Sequence, residues 1–235
     1  MVSPATRPPS TSDEVEGSPR SERARDVRSR LVDMATELFA RHGFEGTSVQ
    51  SIVAAAGVTK GAMYHHFASK DDLLHEIYAR MLRIQHTQLV QIAEADLPVE
   101  QRVHAAAVGV VESAIANLDD SVIFFRSMHQ LGQDKQRQVR TERRRYHERF
   151  RAMIEEGQRH GVFSAAVPAD LVVDYHFGAV HHLSTWYREG GPWRAADIGH
   201  YFADLLLAAL RPHEASPGQA SLGQVSPGEA SPPPP

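Results

Sequence analysis

The sequence predicts an all-α protein of about nine helices, three in a small N-terminal head and the others in a larger body. Apolar residues recur at spacings of three and four almost throughout residues 25–211, which is typical of helices with one buried face. No alternating apolar and polar run bounded by hairpin turn signals indicates a strand. Glycines and prolines at 98, 132, 161–168 and 190–192 divide the chain into segments of helix length.

The composition indicates a globular protein without membrane segments or thiol chemistry. Of the 235 residues, 42% are hydrophobic, which is enough for a packed core. No apolar run approaches the ~20 residues that cross a bilayer, so we expect a cytoplasmic protein without membrane contact. The chain has no cysteine, which excludes disulfides, thiolate zinc sites and cysteine nucleophiles. The net charge of −4 argues against a protein that coats nucleic acid nonspecifically.

The two ends of the chain differ from its middle. Residues 1–24 and 212–235 are dominated by Pro, Ser, Gly, Ala and charged residues, a composition that buries too little apolar surface to offset the entropy of ordering. We therefore expect two disordered tails, a head at residues 25–70 and a body at residues 71–211.

The head begins with two helices joined through a short loop. The apolar stripe of the first helix consists of Leu31, Ala35, Leu38 and Phe39. Gly43 tolerates the left-handed conformation that ends a helix, and Phe44 is expected to pack back on the stripe. Thr47 or Ser48 can cap a second helix, which runs to a turn at Gly57.

A third helix at residues 60–67 fits the requirements of a helix that enters the DNA major groove. Such a helix is short, shows slender or polar side chains outward and is anchored by apolar ones inward. Met63 and Phe67, four residues apart, can face the core. The side chains that can then face outward are Thr59, Lys60, Tyr64 and His65. Gly61 and Ala62 allow close approach to the groove, where an alanine can touch a thymine methyl.

Residues 28–75 resemble the DNA-binding head of the TetR family of repressors. The resemblance is carried by Leu38-Phe39-Ala40, Gly43-Phe44, Thr47-Ser48-Val49, Ile52-Val53 and the run from Ala56 to Phe67 with Ser69-Lys70. It implies a transcriptional repressor that is not an enzyme, with a double-stranded DNA operator as its partner. The residues that it implies in DNA contact are Thr47, Ser48, Thr59, Lys60, Gly61, Ala62, Tyr64, His65 and Lys70. Thr47 and Ser48 would bind phosphate at the start of the second helix, and Lys70 would bind it from the fourth.

The body is predicted to hold helices near residues 99–117, 119–130, 134–160, 168–188 and 194–210. The last two are more apolar than a monomer surface requires, through Leu171, Val172, Tyr175, Ala179, Leu183, Trp186, Ile198, Tyr201, Phe202, Leu205, Leu206 and Ala209. In the family, the final two helices form a four-helix dimer interface, so a homodimer that reads a palindrome is implied. A single monomeric core is the alternative.

The family also binds a small-molecule effector within the body. Candidate pocket residues are Met81, Val110, Phe124, Phe125, Met128, Tyr146, Phe150, Phe177 and Trp186, each of which could equally be plain core. Residues 186–192 resemble a segment of members that respond to acyl-CoA or steroid-type thioesters, with unrelated apolar molecules as the alternative. Ligand entry is expected to shift the fourth helix and release the DNA.

The histidines and arginines of the body have competing interpretations. His65 and His66 point ~100° apart, and His176, His181 and His182 lack the spacing of four that brings imidazoles together on a helix, so we expect no metal and no cofactor. The arginine-rich run at 137–151 is interleaved with glutamates, which favours a solvated face over a second nucleic-acid surface. An all-helical enzyme and an architectural protein without a ligand are the rival functions.

Overall fold

The structure of the protein, a computed structural model, describes residues 19–212, with side chains from residue 25 onward except those of Ser121, Phe124 and Phe125. Within this range all regular elements are helices, which confirms the predicted fold class. The predicted disordered tails lie largely outside the described residues. Residues 19–24, which composition assigned to the N-terminal tail, are helical, because arginine, glutamate and alanine are good helix formers.

The described part of the chain contains ten α-helices, one of them a single turn, and a short 3₁₀ turn. The bounds of the first five are α1 (Pro19–Gly46), α2 (Val49–Ala55), α3 (Lys60–His66), α4 (Lys70–Ala93) and α5 (Val99–Ala116). The others are α6 (Leu118–Ser127), the 3₁₀ turn (Met128–Gln130), α7 (Gln133–Arg159), α8 (Ala169–His181), α9 (Leu183–Trp186) and α10 (Ala195–Leu210). None of the described helices combines the length and apolar character that crossing a bilayer requires.

The chain divides into two compact units. The first comprises the chain up to Tyr78 together with residues 122–136. Its buried side chains include Leu31, Ala35, Phe39, Ile52, Val53, Met63, Phe67, Leu73 and Ile77. Gly43, with a φ of 73°, breaks α1 in the left-handed conformation, and the ring of Phe44 packs 5.2 Å from that of Phe39. The helix therefore ends and folds back where the sequence predicts.

Residues 122–136 are tied to the start of α4 by polar contacts that the sequence does not indicate. The ammonium of Lys135 pairs with the carboxylates of Asp71 and Asp72. The backbone N–H of Gly132 donates to Asp71 Oδ1 at 3.2 Å, and the Tyr78 hydroxyl donates to the carbonyl of Ile123 at 2.9 Å. These contacts join residues more than forty positions apart, which is why a search for local patterns does not find them.

The second unit comprises residues 79–121 together with the chain from residue 137 onward. Its core includes Val103, Ala107, Val111, Phe150, Ile154, Val173, Phe177, Ala203 and Leu206. Helices α5 and α10 lie in close contact, because Gly199 has no side chain: a Cβ there would lie 3.1 Å from Val108 Cγ1.

The arginine-rich stretch of α7 has one solvated face and one buried face. Arg144 pairs with Glu148 at 2.8 Å and Arg145 with Glu142 at 2.6 Å, all four side chains being exposed. Phe150 is buried in the core. This arrangement agrees with the solvated-face interpretation of the run.

Three histidines of the second unit pack against phenylalanine rings. His147 stacks on Phe177 with ring centroids 4.0 Å apart, and His176 stacks on Phe150 at 5.6 Å. His181 lies 6.1 Å from the Phe177 ring. Burial lowers the pKa of each imidazole to about 4, assisted at His147 and His181 by the positive charge of Arg143 and opposed at His147 by Asp174. Among the described residues, no group of histidine, aspartate and glutamate side chains could hold a metal ion.

These histidines predict a loss of stability in mild acid. Their folded-state pKa lies below the unfolded value of about 6.5, so the unfolded chain binds more protons between pH 6.5 and 4 and stability falls as the pH decreases through that window. His176→Phe should flatten the pH dependence of the free energy of unfolding by about 1 kcal/mol per pH unit there. Urea titrations across the window measure this. His129→Phe, at an exposed histidine, is the control, and equal pH dependence in both variants would contradict the assignment.

The α7 glycine Gly157 predicts a second stability effect. A Cβ at this position would overlap the ring of Phe163, which is buried. Gly157→Ala should therefore destabilise the protein by about 1–3 kcal/mol, although alanine is the better helix former. Thermal or urea unfolding measures the change. The matched control is Gly109→Ala in α5, where the nearest atom to an added Cβ is Ile92 Cδ1 at 3.9 Å, so this variant should be neutral or more stable.

Candidate nucleic-acid interface

Two short helices of the first unit form a helix-turn-helix with a cap at the start of each. Ser48 caps α2 by accepting the N–H of Ser51 at 3.0 Å, and Thr59 caps α3 by accepting the N–H of Ala62 at 3.1 Å. The turn between the helices passes through Gly57, whose φ of 63° favours glycine. Each cap satisfies a backbone donor that the first helical turn leaves without a partner.

Helix α3 is anchored on one face and open to solvent on the other. Met63 and Phe67 are buried against the unit's core. Thr59, Lys60, Gly61, Tyr64 and His65 are exposed, and Ala62 is half-buried. The Tyr64 side chain is 48% exposed, so its aromatic ring is not part of the core. The outward face is thus the one that the sequence predicts, and a Cβ at Gly61 would meet only Thr59 Oγ1, at 3.9 Å.

Two of the predicted phosphate-binding side chains make internal contacts. Thr47 is buried, with its hydroxyl 2.8 Å from the carbonyl of Gly43. The Lys70 ammonium donates to the carbonyls of Phe44 and Thr47 at 2.6 and 2.9 Å and lies 4.2 Å from the Phe44 ring centroid. Both side chains therefore donate hydrogen bonds to backbone carbonyls at the loop between α1 and α2. The sequence predicts phosphate contacts for them instead. The neighbouring Ser48 is exposed.

Arg28 has a positioning role that the sequence does not indicate. Its guanidinium pairs with Glu76 at 2.7 Å and lies 5.1 Å from the ring centroid of Phe67, the C-cap of α3. Burial, followed by the positive charges of His65 and Arg28, lowers the pKa of His66 at the same end. These contacts hold the end of α3 against α1 and α4. An arginine near the N-terminus carries no sequence signal for such a role.

The second unit contains a cavity of about 610 Å³ bordered by α4 and α5, with Tyr146 and His200 also on its wall. Of the residues that the sequence nominates for a ligand pocket, Val110 and Tyr146 line this cavity. Met81, Phe150 and Phe177 are buried elsewhere, and Trp186 is exposed. Met128 belongs to the first unit, and the side chains of Phe124 and Phe125 lie outside the described residues.

Two short helices, each capped at its start and joined through a glycine turn, with the second facing solvent, define a helix-turn-helix DNA-binding protein. The family model "Bacterial regulatory proteins, tetR family" matches residues 31–77, and "Tetracyclin repressor-like, C-terminal domain" matches residues 96–210. The chain belongs to the TetR family of DNA-binding transcriptional repressors. The resemblance carried by its head is confirmed.

Relatives match over both parts of the chain. The transcriptional repressor KstR2 of Mycobacterium tuberculosis is 24% identical over 185 residues, covering 78% of this chain and 92% of that protein. The repressor DhaR of Mycobacterium sp. strain GP1 is 30% identical over 157 residues, covering 63% and 76%. The solved structure of the regulator PfmR from Thermus thermophilus has a TM-score of 0.71 at 27% identity, covering 78% of this chain and all of that one. These relatives are transcriptional regulators, not enzymes.

Because Lys60 and Lys70 lie in different environments, we expect their substitution by alanine to have different effects. Lys60→Ala removes an exposed charge, so DNA affinity should fall and the slope of log K against log salt should decrease by ~1, with stability unchanged. Lys70→Ala leaves two loop carbonyls without their donor and should destabilise the protein by about 2 kcal/mol. Salt-dependent DNA titrations and thermal melts measure both. Equal melting temperatures for the two variants would show that Lys70 does not hold the loop.

Proposed function

We propose that the protein acts as a homodimer that binds a palindromic DNA operator, represses transcription there, and is released when a small apolar ligand enters the second unit. Two observations carry the proposal: an exposed recognition helix, and an apolar stripe on α8 and α10 that no residue in the described part of the chain covers. A lone seven-residue helix reads too little DNA for specificity, whereas two related by symmetry read a palindrome.

The recognition surface in this proposal is the outward face of α3 together with the start of α2. Lys60, Tyr64 and His65 meet the groove or the adjacent phosphates, and Gly61 and Ala62 allow the helix backbone to approach. Ser48 and Thr59, at the two caps, lie where backbone N–H groups favour phosphate oxygens. Thr47 and Lys70 act by holding the loop that presents Ser48, with any phosphate contact of their own secondary to that role.

The proposed dimer interface is the outer face of α8 and α10. Tyr175 is 73% exposed and Leu171 is 60% exposed, one helical turn apart on α8; Leu205 and Tyr201 are 63% and 56% exposed, one turn apart on α10. On α8, Gly178 borders open space, with no atom within 4 Å of an added Cβ. Large apolar side chains clustered in this way mark an interaction surface, and a second copy presents the same stripe for an isologous contact.

Release by a ligand requires that the ligand prefer the state that does not bind DNA. Shifting a population from 1:99 to 99:1 takes ~5.5 kcal/mol of differential affinity. The cavity of about 610 Å³ supports a ligand of drug-like size, since binding pockets span about 300–1,000 Å³. Acyl-CoA thioesters, steroid-type metabolites and unrelated apolar molecules are the effector classes under consideration.

Footprinting of the DNA upstream of the protein's own gene tests the proposal. We expect two protected half-sites related by a two-fold axis, with centres ~34–36 Å or a multiple apart. Leu205→Glu places a charge in the proposed interface, so it should yield a monomer in sedimentation experiments and lower operator affinity more than tenfold.

The matched control is Leu97→Glu, which changes another exposed leucine, at the loop between α4 and α5. This variant should remain dimeric and bind like the wild type. A monomeric wild-type protein, or a footprint without two-fold symmetry, contradicts the dimer; protection of no upstream sequence contradicts the operator.

A further inference from the structure

The cavity of the second unit follows the length of α5. Its wall includes Ala105, Gly109, Glu112 and Ala116, which recur at spacings of four, three and four along one face of the helix. The eleven residue-to-residue steps from Ala105 to Ala116, at a rise of about 1.5 Å each, correspond to a groove of roughly 16 Å. Facing them on α4 are Ile84, Gln88 and Gln91, with Leu89 and Ile92 beside them. The space exists because three of the four α5 positions carry a methyl group or no side chain.

One polar group in this groove lacks a partner. Ser113 lines the cavity and is 9% exposed, and its Oγ is buried with no hydrogen-bond partner among the described residues. A buried hydroxyl without a partner costs about 1–3 kcal/mol, so such groups usually meet water or a ligand. Tyr146, whose pKa burial raises, also lines the groove. The Ser113 hydroxyl is covered in this conformation, so rotation of the serine side chain would bring it to a ligand oxygen in the groove.

The charge around the groove selects against anions. No lysine or arginine is among the described residues that line it. The acidic side chain on its wall belongs to Glu112. At one end His104 and His200 stand with ring centroids 5.5 Å apart, and His104 Nε2 lies 3.4 Å from Asp204 Oδ1. Phosphate groups are bound by arginine, lysine or clustered backbone N–H groups, and this wall of intact helix offers none of them.

From these observations we propose that the groove between α4 and α5 is the effector site and that it takes an elongated, largely apolar molecule without negative charge and with one hydroxyl or carbonyl oxygen for Ser113. The inference rests on the proposed function, since it names the ligand class for the release step. It separates the effector classes left open above, because the phosphates of a coenzyme A thioester have no cationic partner among the described residues that line this groove.

A set of probes with one alkyl chain and different head groups tests the ligand class. The full-length protein is titrated calorimetrically with 1-decanol, decanoate, decylammonium and decanoyl-coenzyme A. We expect 1-decanol to bind at least tenfold more tightly than decanoate and decanoyl-coenzyme A. Binding of decanoate or the thioester as tight as that of 1-decanol or decylammonium overturns the charge argument, and binding of none of the four up to their solubility limits overturns the site.

Variants that fill the groove test its location. Gly109→Leu places an isobutyl group in the cavity, where an added Cβ makes ordinary contact with Ile92, and should lower 1-decanol affinity at least tenfold. Ala105→Phe fills the same face one turn earlier and should act alike if the first variant folds poorly. Ala152→Leu, at an exposed position of α7, is the control that adds apolar bulk elsewhere. Unchanged 1-decanol binding in the folded, groove-filled variants overturns the location.

Substitution of Ser113 gives a readout of opposite sign in two assays. Ser113→Ala removes the buried hydroxyl, so the ligand-free protein should melt at a higher temperature while affinity for 1-decanol falls about fivefold. A lower melting temperature together with unchanged affinity would refute the role of this hydroxyl. Footprints without ligand distinguish the two proposals. If the protein protects an operator but the wild type does not bind 1-decanol, only the groove proposal is overturned. If the wild type gives no footprint, the operator proposal is overturned.

Discussion

The burial of Met63 and Phe67 beneath α3 is the contact on which the DNA-binding surface depends. A seven-residue helix is too short to persist by its own hydrogen bonds, so tertiary packing has to hold it. The same two anchors set the rotation of the helix about its axis, and with them buried, Lys60 and Tyr64 must face solvent. Arg28 then fixes the far end through Phe67. Stability and presentation of the recognition face thus share one set of contacts.

The C-terminal helices carry apolar residues on two faces, one buried and one exposed. On α10, Ile198, Ala203 and Leu206 enter the core, while Tyr201 and Leu205 remain exposed. Large apolar side chains left in water are unfavourable until they are covered, as they would be in the proposed dimer.

Helix α5 combines close packing with an open groove, and small side chains produce both. Where α10 approaches, the missing side chain of Gly199 brings the two backbones together next to Val108. On the face toward α4, Ala105, Gly109 and Ala116 leave space that no neighbouring side chain fills. An unfilled groove and an unsatisfied Ser113 hydroxyl both lower the stability of the ligand-free protein, and that deficit is the source of the binding energy that a ligand can recover.

The sequence by itself determined the helical class, the break at Gly43 and the outward face of α3, and it narrowed the cap of α2 to Thr47 or Ser48. Each of these follows from residues within about one helical turn of one another. The tertiary structure alone decided the partners of Lys70, which lie 23 and 26 positions away, the attachment of residues 122–136 to α4 through Lys135, and which apolar residues border a cavity and which fill the core. The physical reason is distance along the chain. Periodicity shows which side of a helix is apolar, but only the packing of helices far apart in sequence decides whether that side meets core, ligand or a second copy.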